Sequence, residues 1–386
     1  MEHSGYSKAD PRRCTEVMTS PPPLHFALPV WGERYVKTFL EICLPAQLSP
    51  ANIPALHKKK YNLYKIYTTN KDYERIEASP AFRALQRIIS VSTEFIEMPN
   101  RGTADEKYKI KSDCYRNALL SATHNRAALL ALNADIVLAN GFVRSVVDLL
   151  SQGKRVIEVP GPRGLQEPIA RALSARFRGS DGVAISIEPV DLSDLWVKNL
   201  HPQLAMHFVE GRKGDPFHPS HLYWPVGDEG VIIRGFHLYP IVVYPRDSSA
   251  VFKGTIDDDL VSSLKVARHE RYLAQDSRRL FCCELSPPDI HVGRMADRGD
   301  LHRYIEFYSS YAQSNIHNLE HEIIVTGTMD LGPEWTLRRK QSAEFVELLL
   351  KQYRARQRRQ SVPNILRLAW SKCSRLMKRL RILRPS

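Results

Sequence analysis

The feature that most restricts this chain is an alternation. Leu24 to Val30 is apolar enough for a short buried strand, and Trp31-Gly32 ends it. Glu33 to Cys43 then spaces Tyr35, Phe39 and Ile42 as a helix does. Tyr61 to Thr68 is dense in strand formers, Lys71 to Ile89 has helical spacing, and Val91 to Met98 alternates like a third strand. Asp105 to His124 predicts a helix with Tyr108, Tyr115, Leu119 and Ala122 on one face. Ala127 to Leu132 predicts a fully buried strand, Phe142 to Gln152 a helix stopped by Gly153, and Arg155 to Val159 a further strand. Strands separated by helices of this length predict an α/β fold built from βαβ crossovers, with a mostly parallel, Rossmann-like mixed sheet flanked by helices.

The rhythm loosens beyond residue 165. Val231 to Tyr244 resembles a hairpin or strand pair, Asp257 to Ala274 a helix, and Gly327 to Pro333 a closing segment. Trp335 to Tyr353 predicts a helix leading into the C-terminal tail. Three regions are therefore expected: 24–160, 161–334, and a helical basic tail at 335–386.

Charge separates the tail from the rest. The chain carries 55 Lys and Arg against 42 Asp and Glu. Twelve of those bases and none of the acids fall between Lys351 and Ser386, leaving 43 bases against 42 acids elsewhere. The body is close to neutral, so the basic balance implies a partner for the tail rather than for the whole surface. Six scattered cysteines with no CxxC pair read as a reduced, cytoplasmic inventory. Residues 1–13 lack the apolar core of a signal peptide. No apolar run reaches the roughly 18 residues of a spanning helix; the longest, Ala127 to Val143, is broken by Asn133, Asp135 and Asn140.

In an open α/β sheet, ligands bind beyond the carboxyl ends of the strands. The apolar run ending at Leu132 delivers Asn133-Ala134-Asp135 to such an end. A carboxylate there suits Mg²⁺ or Mn²⁺ held against a diphosphate, because hard cations take oxygen ligands and share substrate phosphates. The alternative is a solvent-facing aspartate capping the helix that begins near Phe142.

Together, Val30-Trp31-Gly32, the Thr68-Thr69 strand end and Leu132-Asn133-Ala134-Asp135 resemble the nucleotide-sugar half of a GT-A-type glycosyltransferase, over about residues 24–160. The resemblance implies that Asp135 is the metal-side carboxylate of a D-x-D-like element. It implies that Val30, Trp31 and Thr68 line the nucleotide pocket, and that a divalent metal, Mn or Mg, is the cofactor. Asn133 stands where the family's pattern has its first acid; an amide oxygen still coordinates or hydrogen-bonds but carries no charge. The resemblance also implies a base from the second half of the chain. Asp258, within Asp257-Asp258-Asp259, and Glu284, in apolar surroundings before Pro287-Pro288, are the candidates. Acids in a first helical turn also simply complement the helix dipole, and Glu284 also fits a structural ion pair.

Histidines 201, 207, 218, 221 and 237 cluster in sequence, and a metal-dependent hydrolase built on them is a second reading. A third is a non-catalytic membrane adaptor that kept the fold. Gly161-Pro162-Arg163-Gly164 has the charge to cradle phosphate but lacks a Walker lysine, and reads as a turn.

The tail speaks without any family. Ile365, Ala369, Cys373, Leu376, Leu380 and Leu383 step at helical spacing, with Trp370 beside them and Arg and Lys mostly off that face. A basic amphipathic helix with a Trp fits a membrane interface. Residues 363–384 are therefore expected to hold the chain on an anionic membrane surface at its cytoplasmic, inner face. Nucleic acid is not expected as a partner, since aromatic interleaving is scarce. With the resemblance, this implies a nucleotide-sugar donor and a lipid-linked or envelope-glycan acceptor.

Overall fold

A computed structural model of the chain describes residues 20–56, 61–99, 103–206, 208–209, 215–217, 221–236, 238–246, 252–256, 260–264, 266–289, 294–296, 301–311 and 315–381, the last helix as backbone alone from residue 360. The first half runs β1 (Leu24–Pro29), α1 (Glu33–Thr38), a π-turn (Phe39–Cys43), α2 (Leu44–Gln47), β2 (Leu63–Thr68), α3 (Asn70–Glu77), α4 (Pro80–Ile88), β3 (Ser90–Phe95), α5 (Ala104–His124), β4 (Ala128–Ala131), β5 (Ile136–Leu138), α6 (Phe142–Ser151) and β6 (Val156–Glu158). Then come β7 (Arg163–Leu165), α7 (Gln166–Arg176), α8 (Pro189–Val197), α9 (Pro202–Met206), β8 (Asp215–Phe217), β9 (His221–Val226), β10 (Gly230–Gly235), β11 (Ile241–Val243) and α10 (Leu260–Ser263). The chain continues with β12 (Arg271–Leu273), β13 (Cys282–Ser286), β14 (Arg294–Ala296), α11 (Leu301–Tyr311), β15 (Ile323–Thr326) and α12 (Pro333–Arg381).

Seven strands form the main sheet in the order β12-β6-β11-β4-β1-β2-β3. All neighbours are parallel except β11, which runs antiparallel to both β4 and β6. The molecule is thus a mixed α/β protein whose mostly parallel sheet is flanked by helices. Its interior strands are largely apolar because both faces are covered. Phe26, Leu28, Tyr64, Ile66 and Leu130 pack on one side with Val36, Phe39 and Phe82. Ala27, Tyr67, Leu129 and Ala131 pack on the other with Tyr115, Leu119 and Ala122 of α5. Two smaller sheets, β5-β13-β7 and β15-β10-β9, stand beside it, and β14 pairs with β8.

Three elements depart from expectation. The helix expected over Lys71 to Ile89 is two, because Pro80 opens α4 and its missing amide cannot continue α3. Val231 to Tyr244 is not a hairpin: β10 pairs β9 and β15, while β11 crosses to the main sheet between β4 and β6. Among the described residues of Asp257 to Ala274, helix is confined to Leu260–Ser263 and a 3-10 turn at Arg268–Glu270. Tyr272 instead pairs Ile157 at the sheet edge, where tertiary pairing overrides local spacing.

The helix expected from Trp335 is present and continues as one element to Arg381. Its first part is docked. Trp335, Val346, Leu349, Leu350 and Tyr353 are buried against β9, β10 and α11, and Trp335 Nε1 donates to Glu229 Oε2 at 2.8 Å. Buried Arg234 donates to Ser342 Oγ at 3.1 Å and to the Glu320 carbonyl at 3.0 Å, tying α12 to β10. Among the described residues, no helix is long and apolar enough to cross a membrane. Cys43, Cys114, Cys282 and Cys283 are free and buried.

Candidate active site

The order β3-β2-β1-β4 makes a topological switch point. The chain leaves β1 toward β2 on one side and returns later to β4 on the other, so their carboxyl ends open a crevice. Ala27 pairs Ala131, and Leu132 donates to the Ala27 carbonyl at 3.0 Å, which brings Asn133 out beside the end of β1.

Asp135 follows, immediately before β5. It is 7% exposed rather than the exposed strand-tip acid its sequence position implies. The reason is β13, which pairs antiparallel with β5 and lays the Leu285 amide on the Asp135 carbonyl at 2.8 Å. Nor does Asp135 cap α6, whose N-cap is Gly141 in the left-handed region at φ 86°. Burial first, and then the neighbouring Glu284 carboxylate, raise the Asp135 carboxyl to about 7 against the opposing pull of Lys111 and Arg163. Its carboxylate takes no side-chain ion pair among the described residues.

Glu284 lies on β13. Arg163 Nε reaches its Oε1 at 2.7 Å, and Ser286 Oγ donates to the same oxygen at 3.1 Å. The ion-pair alternative for Glu284 is therefore the arrangement seen. Gly161-Pro162-Arg163-Gly164 is no phosphate cradle: β7 pairs parallel with β13, and a side chain at Gly164 would collide with Ile169. Arg163 also donates from Nη1 to Gln203 Oε1 at 3.0 Å.

Hydroxyls line the opposite wall. Tyr115 from α5 donates to the Leu132 carbonyl at 2.8 Å or to Asn133 Oδ1 at 3.1 Å, and stands 2.7 Å from the Tyr239 hydroxyl. Lys111, one turn earlier on α5, lies 6.0 Å and 5.9 Å from the Tyr115 and Tyr239 ring centres. Tyr35 at the rim is shifted upward by burial and then by Asp135, while nearby Arg34 opposes the rise.

The residues expected around a nucleotide are placed as follows. Val30 is buried in the core, its amide donating to the Tyr67 carbonyl at 2.8 Å. Trp31 is half-buried. Gly32, at φ 82°, donates its amide to Asp72 Oδ2 at 2.9 Å, and Thr69 Oγ1 donates to the same oxygen at 2.8 Å. Thr68 is buried and its hydroxyl has no hydrogen-bond partner. Asp258 lies outside the described residues, as do His207, His218 and His237. His201 accepts the Gln203 amide at Nδ1, which leaves Nε2 to donate to the Pro287 carbonyl at 2.8 Å. His221 stacks on Tyr223 at 5.9 Å. Among the described residues no three His, Cys, Asp or Glu side chains gather as a metal cluster.

Sequence reasoning missed Lys111, Tyr115, Tyr239 and the Arg163–Glu284 pairing. Lys111 and Tyr115 were within reach, since four residues apart on a helix they share a face.

Comparison with known proteins adds little. No family model matches the sequence, and no curated protein matches it. Among solved structures it is similar to S. aureus TarS, at a TM-score of 0.26 and 8% identity, over 36% of this chain and 22% of that one. The match spans about a fifth of that protein, and at such a score the likeness carries no weight for fold or function.

Proposed function

We propose that the chain is a GT-A-like glycosyltransferase that moves a sugar from a nucleotide-sugar donor to an acceptor hydroxyl, with the donor in the crevice between β1 and β4. One observation carries the reading: Asp135 and Glu284 stand together beyond a topological switch point, beside Arg163 and Lys111. Groups of both signs at that position suit a diphosphate and its counter-ion.

The residues fit a divalent cation. Mg²⁺ and Mn²⁺ take one or two carboxylates and complete their shell with substrate phosphate and water. Asp135 has a carboxylate without a side-chain ion pair, and Asn133 Oδ1 stands two residues before it, so these two would hold the metal. When bound, the metal supplies positive charge against the leaving diphosphate. Lys111 and Arg163 add fixed positive charge at the same place. Tyr115 holds Asn133 in position through its hydroxyl. Both bonds to Glu284 fall on Oε1, which leaves Oε2 to accept the proton of the acceptor hydroxyl. Asp258 remains a second candidate for that base.

The tail completes the proposal. Residues 363–384 rest on an anionic, cytoplasmic-face membrane surface, which suits a lipid-linked or envelope-glycan acceptor. The test is a thermal-shift screen of nucleotide-sugars with and without Mn²⁺. A ligand at a hundred times its dissociation constant adds about 2.7 kcal/mol of stability. Stabilisation by one nucleotide-sugar, lost in Asp135→Ala, supports the reading; no shift with any donor overturns it.

A further inference from the structure

A groove of about 510 Å³ opens between α1 and α7, with Pro287 and Pro288 as its end wall. That volume lies within the range of small-molecule sites, roughly 300–1,000 Å³. The two prolines directly follow β13, the strand that carries Glu284. On the other side, the lining residue Gln166 directly follows β7, the strand that carries Arg163. The groove therefore adjoins the candidate centre.

Its charges are sorted along α1. Neither Arg34 nor Lys37 has a carboxylate partner among the described residues, whereas Arg171 is neutralised by Glu167 at 2.5 Å. Glu41 sits one turn further along, at the end away from Arg34. The Arg34 guanidinium is oriented, lying 4.1 Å over the Tyr35 ring with Nη1 donating to Gln166 Oε1 at 3.4 Å. Gln166 in turn donates to Thr38 Oγ1 at 3.0 Å. Ile42 and Ala170 add apolar surface to the lining beside polar Thr38, Gln166 and Ser174. Two cations without a carboxylate partner among the described residues, beside apolar side chains, suit an oxyanion attached to a carbon skeleton.

We infer that this groove is the acceptor subsite, and that the acceptor carries a phosphate or carboxylate docked between Arg34 and Lys37. The inference rests on the donor crevice proposed above. Its test is calorimetric titration of the full chain with glycerol 3-phosphate and, separately, glucuronate, in the parent and in an Arg34→Gln/Lys37→Gln variant whose fold is checked by circular dichroism. The parent should bind at least one probe saturably, and whichever it prefers identifies the anion. The double variant should bind about tenfold or more weakly, the loss expected for charge-assisted bonds. Its affinity for uridine diphosphate should be unchanged, and Glu41→Gln should bind the anion as tightly as the parent or tighter. Absence of saturable binding, or equal binding by parent and double variant, overturns the inference. If uridine diphosphate displaces the probe and itself requires Arg34 and Lys37, the groove belongs to the donor and the acceptor assignment falls. Anion binding that survives while no nucleotide binds sinks the donor reading instead, so the two failures are distinguishable.

Discussion

Arg163 Nε sits 2.7 Å from Glu284 Oε1, and that pair leaves Asp135, the neighbouring carboxylate, without a bonded cation. In the proposed mechanism the two adjacent acids take different roles, Glu284 as the base and Asp135 as the carboxylate that would meet an incoming cation.

Activity should follow the ionisation of Asp135. With its carboxyl raised to about 7, transfer should rise through neutrality as the acid loses its proton. Mn²⁺ favours the anionic form, so increasing metal should move the midpoint of the pH–rate profile to lower pH. A midpoint indifferent to metal would count against coordination by Asp135.

Asp135→Asn should abolish transfer, by roughly a hundredfold or more, while stabilising the protein. A carboxyl raised above its unfolded value contributes stability that is present at low pH and lost as pH climbs through the folded value. The variant should therefore match the parent near pH 4 and exceed it above pH 7, with a ceiling of roughly 4 kcal/mol. Denaturant melts at the two pH values read this directly. A variant less stable than the parent at pH 8 would show that the acid has a packing role.

Burial, with Lys65 adding to it, lowers His25 to about 4, which tilts stability the other way. The unfolded histidine takes a proton below about 6.5, so stability falls as pH drops from there toward 4. His25→Leu should flatten that slope and leave the Asp135 slope exposed. Melts of the variant between pH 4 and 7 should show stability decreasing as pH rises.

Tyr115→Phe removes a hydroxyl that meets the Leu132 carbonyl, Asn133 Oδ1 and the Tyr239 hydroxyl. A loss of about 1–3 kcal/mol is expected from buried partners left unpaired. Transfer should weaken through a looser Asn133, and the Mn²⁺ concentration for half-activity should rise. Unchanged metal dependence would place Asn133 outside the coordination sphere.

Removal of residues 355–386 should leave a folded protein, because among the described residues the last buried anchor of α12 is Tyr353. The Arg356–Glu306 pair at 3.8 Å, on the surface, is lost with it at little cost. Sedimentation with anionic liposomes should disappear, and in the full chain it should weaken with salt as the Debye length falls from about 10 Å at 0.1 M to 3 Å at 1 M. Cutting back to residue 345 removes Val346, Leu349, Leu350 and Tyr353 and should unfold the β9–β10–β15 region. Liposome binding that persists without the tail would overturn the membrane role proposed for it.

Much of the sheet was legible because parallel strands buried on both faces are written as nearly unbroken apolar runs, as β1 and β4 are, while β2 stood out by its density of strand formers. Asp135 was legible as the first acid after such a run. β11 and β12 were not, since three residues carry no period and their place is fixed by β4 and β6. The Glu284–Arg163 pair was hidden in the same way. Each residue was visible alone, but only the parallel pairing of β7 with β13 makes them neighbours. The acids at 257–259 looked like the start of a long helix, yet the sheet edge claimed Tyr272.

The antiparallel strand β11 also dictates an order of assembly. Within the main sheet, β6 and β12 join β4 only through Ile241–Val243. A ribosome that has released the first 160 residues has delivered β1 to β4 with one side of β4 unpaired and β6 without a neighbour. Such an edge invites pairing with other chains until residues 241–243 emerge to fill it. Closing the sheet by so distant a segment raises contact order and slows folding. The nascent protein should therefore depend on chaperones through the middle of its synthesis, and fragments ending near residue 160 should aggregate rather than fold.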